Sequence, residues 1–123
     1  MRLFHISDVL SVTTERLVSS KHMDGVYELL NFLTGDDVHT HEVPGAMKEC
    51  EPCLRSQFPA LFPDSAVMKA CLKDLDKSLK ADGDDKAARA KTITAWVQSV
   101  RLKMNLPEML PVYEMGVEKR HSH

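Results

Sequence analysis

Apolar residues recur at spacings of three and four along most of this chain. In "MDGVYELLNFLTGDD", Met23, Val26, Tyr27, Leu30 and Leu33 share one face, which predicts an amphipathic helix. Gly35 supplies a left-handed stop, and Asp36 and Asp37 continue the turn. The strongest periodicity follows Asp64, a candidate cap. Val67, Met68, Cys71, Leu72, Leu75 and Leu79 line one face there, with Lys and Asp on the other. "ADGDD" turns around Gly83. Asp84 or Asp85 then caps a last long helix carrying Ala88, Ile93, Trp96, Val97, Val100 and Met104. A short connection predicts antiparallel packing of these two helices.

The remaining segments are less regular. "ISDVLSVTTERLVSS" offers Ser7 as an N-cap and Asp8 where the helix dipole favours a negative charge. Val9, Leu10, Thr13 and Leu17 fall on one face, yet the β-branched "SVTT" weakens a continuous helix. One helix fits, and so do two with Thr13 or Thr14 capping the second. "DVHTHEV" alternates weakly, as a short strand or extended loop. Pro44 suits a first helical turn, and Ala46, Met47, Cys50 and Leu54 form the next apolar stripe. Pro52 inside that stripe predicts a kink or break near Lys48–Glu51. Past Pro107 and Pro111 the chain cannot stay helical. Leu110, Val112 and Tyr113 are expected to cross the body as a strand or clasp.

The expected fold is therefore mainly α, a single domain of about five helices. A minor two-stranded β element would join 38–43 to 110–114. The domain would span 1–116, with a flexible tail over 117–123 that holds His121 and His123. The expected core centres on Leu10, Leu17, Val26, Leu30, Leu33 and Met47. It continues through Leu54, Val67, Cys71, Leu75, Trp96, Val97 and Val100.

Composition narrows the class. With 123 residues, 43% apolar and 28% charged, the chain reads as an ordinary globular domain. Its apolar runs are far shorter than the roughly 20 residues of a membrane span. "MRLFHISDVL" lacks the long apolar stretch of a signal peptide. Three cysteines, with Cys71 inside an apolar stripe, imply free thiols or metal thiolates in a reducing, cytoplasmic setting. Residues 1–63 hold five Lys and Arg against nine Asp and Glu, whereas 64–123 hold eleven against nine. That is not the basic footprint of a nucleic-acid binder. An acidic N-terminal half fits a basic partner.

The densest candidate chemistry lies in "HTHEVPGAMKECEPC". His39, His41, Cys50 and Cys53 have the number and donor type of a zinc site. The H-x-H spacing is shorter than that of the usual finger, however, and Cys50 also sits on the apolar stripe. A zinc deaminase would need H-x-E and P-C-x-x-C, and the spacing fails at both ends. A cysteine nucleophile paired with these histidines lacks an accompanying oxyanion-hole motif. A helix-turn-helix drawn over 7–33 would read DNA with "VYELLNFL", which has no Arg or Lys. No phosphate-binding glycine loop or H-E-x-x-H is present. "TGDD" reads first as turn chemistry. No catalytic residue is assigned.

"SDVLSVTTERLVS", "MDGVYELLNFLTGDD", "THEVPGA" and "ECEPCLRSQFPAL" together resemble a family of small proteins of unassigned function, encoded mainly by bacteriophages and prophages. The resemblance covers Ser7 to Leu61. Its pattern runs D-V-L-S-x-T-T-x-R-L, G-V-Y-x-L-L-N-x-x-T-G-D, T-H-x-x-P and E-C-x-P-x-L. Thr34, Gly35, Asp36, Thr40, His41, Pro44, Glu49, Cys50 and Pro52 match it. His39 and Cys53 fall on no fixed position, which weakens a four-ligand zinc site. The resemblance implies a non-enzymatic protein in the cytoplasm of an infected bacterium. Such a protein would bind and inhibit a host protein or ribonucleoprotein complex, such as a CRISPR or other defence assembly. Asp36, Asp37, His41, Glu42, Glu49 and Glu51 are the expected interaction residues. The alternative is a small zinc-binding or helix-turn-helix DNA-binding regulator.

Overall fold

The computed structural model describes residues 1–115. In chain order its elements are β1 (Arg2–His5), α1 (Ile6–Thr14), α2 (Met23–Thr34), α3 (Val43–Gln57), α4 (Ala66–Asp82), α5 (Lys86–Lys103) and β2 (Met109–Val112). Single 3-10 turns lie at Thr40–Glu42 and Pro59–Leu61. The mainly α architecture with a two-stranded antiparallel sheet is as expected. The tail expected at 117–123, with His121 and His123, lies outside the described residues.

Several helix ends follow from their own residues. Gly35 closes α2 at φ 73°, and its N–H bonds the Asn31 carbonyl. Asp85 caps α5 by accepting from the Ala88 N–H at 3.1 Å. The cap of α4 is Ser65 rather than Asp64, its Oγ accepting from the Met68 N–H at 3.1 Å. Nor does Ser7 cap α1. The helix starts one residue before it, at Ile6, and His5 Nδ1 accepts the Ser7 N–H at 3.1 Å.

Three core assignments change. Leu17 is 47% exposed, because α1 ends at Thr14 and Glu15 turns left-handed at φ 59°. That turn takes Leu17 off the helical register shared by Val9, Leu10 and Thr13. Val67 is 48% exposed. It lies in the first turn of α4, at the edge of the stripe that Met68, Cys71, Leu72 and Leu75 bury. Met47 is half-buried. The other ten expected core positions are buried.

Pro52 does not break α3, which runs unbroken from Val43 to Gln57. The proline removes the N–H that would reach the carbonyl of Lys48. Because Lys48 is exposed, water can satisfy that carbonyl.

The sheet pairs differently from the expectation. β2 nearly coincides with the strand foreseen at 110–114, but its partner is β1, not 38–43. Residues 40–42 instead coil into a 3-10 turn, where Glu42 Oε1 accepts from the His39 N–H at 2.9 Å. Phe4 stands opposite Leu110, and both are 2% exposed. The Ile6 N–H extends the pairing by bonding the Glu108 carbonyl at 2.7 Å. Beyond β2 the chain clasps α3. Gln57 Oε1 accepts from the Tyr113 N–H at 2.8 Å, while its Nε2 donates to the Tyr113 carbonyl at 3.0 Å.

Helices α4 and α5 form an antiparallel hairpin. Asp82 meets Thr92 near the turn, and the Trp96 Nε1–H reaches the Cys71 carbonyl at 2.7 Å further along. Residues from all five helices and both strands contribute to one apolar core.

Candidate functional site

The "SDVLS" motif builds a buried polar knot. Ser7, Asp8, Ser11 and Ser19 are each 5% exposed or less. Ser11 Oγ donates to the Ser7 carbonyl at 2.9 Å and accepts the Val18 and Ser19 N–H groups at 2.9 and 2.8 Å. Ser19 Oγ donates to Asp8 Oδ1 and accepts the Lys21 N–H. The backbone of α2 passes directly over this pair. A β-carbon on Gly25 would stand 2.3 Å from both Asp8 Oδ1 and Ser19 Oγ. Every residue here has a structural partner, so this part of the motif ties the 15–22 loop to α1 and α2.

The four residues of the zinc expectation are not brought together. Among the described residues, no three of His, Cys, Asp and Glu converge as metal ligands. His39 and His41 are exposed on the 3-10 turn, their rings parallel with centroids 6.3 Å apart. Cys50 is fully buried against the core. Burial, and secondarily the neighbouring Cys53, push the Cys50 thiol from 9.0 up to about 12. The thiol is therefore protonated at neutral pH. Cys53 lies at the core edge, where its Sγ accepts from Gln57 Nε2 at 3.2 Å and approaches the Tyr113 carbonyl at 3.6 Å.

Five of the six expected interaction residues do converge. Asp36, Asp37, His41, Glu42 and Glu49 line one open cleft of about 420 Å3. The left-handed turn at Gly35 places the two aspartates. Asn31 Oδ1 accepts the Val38 N–H at 2.7 Å and anchors the descent into the 3-10 turn. That turn contributes His41 and Glu42, and α3 contributes Glu49. Tyr27 braces the turn through Thr40, with their hydroxyls 2.9 Å apart. Among the described residues, no Lys or Arg lines this cleft.

Glu51 lies apart from it. It borders a larger cleft of about 690 Å3 beside α1 and α3. There it accepts from Arg55 at 3.4 Å. Arg55 also pairs with Asp64 at 2.8 Å and stacks on the Phe62 ring. Glu51 is thus engaged within a mixed-charge surface.

Residues 4–63 match the family model DUF7736, a domain of unknown function. This span takes in the Ser7–Leu61 segment on which the phage-family resemblance rests. The matched span holds the polar knot, the acidic cleft and the Cys50–Cys53 pair. Helices α4 and α5 and strand β2 fall outside it. No curated protein and no solved structure matches the chain.

Sequence reasoning missed a separate cavity of about 390 Å3 between the 15–22 loop and α5. Its walls join the 15–22 loop to α5, some 70 positions later in the chain, and His5 to Glu108, about a hundred positions later. Helical periodicity cannot bring such residues together on the page. Among the described residues, no helix is long and apolar enough to cross a membrane.

Proposed function

We propose that the protein works by binding, with the acidic cleft docking against a basic surface on a macromolecular partner. The observation that carries this reading is the convergence of Asp36, Asp37, Glu42 and Glu49 on one open cleft. Such a surface steers association with a positively charged partner and sets its register. Surfaces that hold nucleic-acid phosphate have the complementary charge. In combination with the resemblance to phage-encoded proteins, this favours a specific form of the reading. The partner is then a host defence complex of the CRISPR type, and occupying its nucleic-acid surface inhibits it.

The test is capture of partners from a bacterial host lysate, with each retained protein identified. An Asp37→Lys/Glu42→Lys variant should lose a basic or nucleic-acid-binding partner that the parent retains. An Asp84→Lys variant, altered at the α4–α5 turn, should keep it. Raising the salt should weaken capture by the parent. Retention of the same partner by the Asp37→Lys/Glu42→Lys variant, or capture of chaperones alone, would sink the reading.

A further inference from the structure

The cavity between the 15–22 loop and α5 has apolar walls and a polar rim. Leu17, Val18, Ala90, Ile93 and Val97 form the walls, and His5, Ser7, Ser20, His22 and Glu108 the polar side. We propose that it binds a small, uncharged, planar heterocycle of nucleobase size. Apolar contacts would hold its faces, and hydrogen bonds its edge. The volume of about 390 Å3 lies within the range of small-molecule sites.

The hydrogen-bond pattern sets the chemistry of the rim. The Ser7 N–H donates to His5 Nδ1 at 3.1 Å, so in the neutral ring Nδ1 is an acceptor and Nε2 carries the proton. Ser7 Oγ lies 2.8 Å from the same Nδ1 and accepts the Ser20 N–H at 3.4 Å. His5 is thereby held in one orientation and offers a single N–H donor. Beside it, where β2 pairs with β1, Glu108 Oε1 accepts from Gln98 Nε2 at 3.2 Å, and the second carboxylate oxygen is an acceptor. A donor and an acceptor on one rim match a heterocycle edge that presents both. Among the described residues, no Lys or Arg lines the cavity, and Glu108 opposes an anionic ligand.

His22 supplies an independent reason to read this cavity as a site. Its backbone stands at φ 57°, ψ −138°. Glu15, at φ 59°, ψ 25°, is in the ordinary left-handed helical region, whereas the ψ of His22 puts it where a β-carbon is strained. Hydrogen bonds from the His22 N–H to the Ser19 carbonyl and from the Gly25 N–H to the His22 carbonyl hold the geometry. The imidazole makes no capping bond to α2. Glycine would suit this backbone better. The side chain that stands there instead lines the cavity.

The test is titration of the 15N-labelled full chain with adenosine and cytidine as neutral probes and AMP as the anionic counterpart. At least one nucleoside should give saturable shifts at the Ser7, Ser20, His22 and Val97 amides. Ala90→Trp, at an exposed wall position, should plug the cavity and weaken binding about tenfold with an unchanged Tm. His22→Gly should weaken binding while raising the Tm by a few degrees, because it relieves the strain. The proposal is overturned if neither nucleoside shifts these signals, if AMP binds more tightly than adenosine, or if Ala90→Trp leaves the affinity unchanged. A lowered Tm in His22→Gly would overturn the strain argument. None of these readouts involves the acidic cleft, so this proposal and the proposed function fail separately.

Discussion

Gly25→Ala is the sharpest test of how the SDVLS motif works. An added β-carbon would sit 2.3 Å from Asp8 Oδ1 and Ser19 Oγ and 3.0 Å from Asp8 Cγ. None of these atoms is the free end of a flexible chain. Asp8 is 1% exposed, Ser19 is 5% exposed, and each is hydrogen-bonded to the other. Relief therefore means breaking that bond or moving α2 away from α1. Leaving a buried polar group unsatisfied costs about 1–3 kcal/mol. Overpacking adds about 1–3 kcal/mol. Alanine in place of glycine in a helix returns about 1 kcal/mol. The net loss expected is about 1–5 kcal/mol, a large share of a typical domain's stability.

Urea unfolding followed by circular dichroism measures this, with the midpoint falling and the slope unchanged. Gly45→Ala is the control, since nothing lies within 4 Å of its added β-carbon. That variant should be neutral or gain up to about 1 kcal/mol. Ser19→Ala combined with Gly25→Ala should cost less than the sum of the two single changes, because the serine hydroxyl is one of the clashing atoms. A loss below about 0.5 kcal/mol in Gly25→Ala would refute the reasoning, since ordinary surface substitutions fall in that range.

Two further predictions follow from the core and the caps. Cys50 should resist iodoacetamide at pH 8 in the folded protein and react once urea exposes it, as mass spectrometry of the labelled peptide would show. Its thiol titrates at about 12 folded against 9.0 unfolded. The stability tied to its neutral form is therefore complete below pH 9 and declines as pH rises toward 12, by up to about 1.4 kcal/mol per pH unit. A Cys50→Ala variant should show a flatter decline over that window in urea titrations. Asp85→Ala removes the acceptor for the Ala88 N–H and should destabilise by about 1 kcal/mol, read as a lowered thermal midpoint. An unchanged midpoint would mean that water replaces the cap.

What the sequence by itself determined is the set of features governed by residues a few positions apart. Helix α2 could be read from Val26, Leu30 and Leu33, because a helical period of 3.6 residues puts spacings of three and four on one face. The ends at Gly35 and Asp85 could be read because a left-handed turn favours glycine and a capping carboxylate reaches an amide three residues on. The acidic residues between Asp36 and Glu49 could be read in the sequence, but their convergence on one cleft depends on the 3-10 turn at Thr40–Glu42, where the pattern suggested a strand or extended loop.

Tertiary structure decided the rest. β1 pairs with β2 across more than a hundred residues, and no local spacing encodes that register. Leu17 left the core because two backbone amides eight and fewer residues from Ser11 found its hydroxyl, ending the helix before the apolar pattern did. The histidines and cysteines of "HTHEVPGAMKECEPC" are close in sequence. Even so, the core took Cys50 and solvent took His39 and His41, because α3, which buries the face that carries Cys50, starts only after the turn that exposes the histidines. Gly25 carries no mark of its role in the chain. Only the packed structure shows that its missing β-carbon is the space in which Asp8 and Ser19 meet.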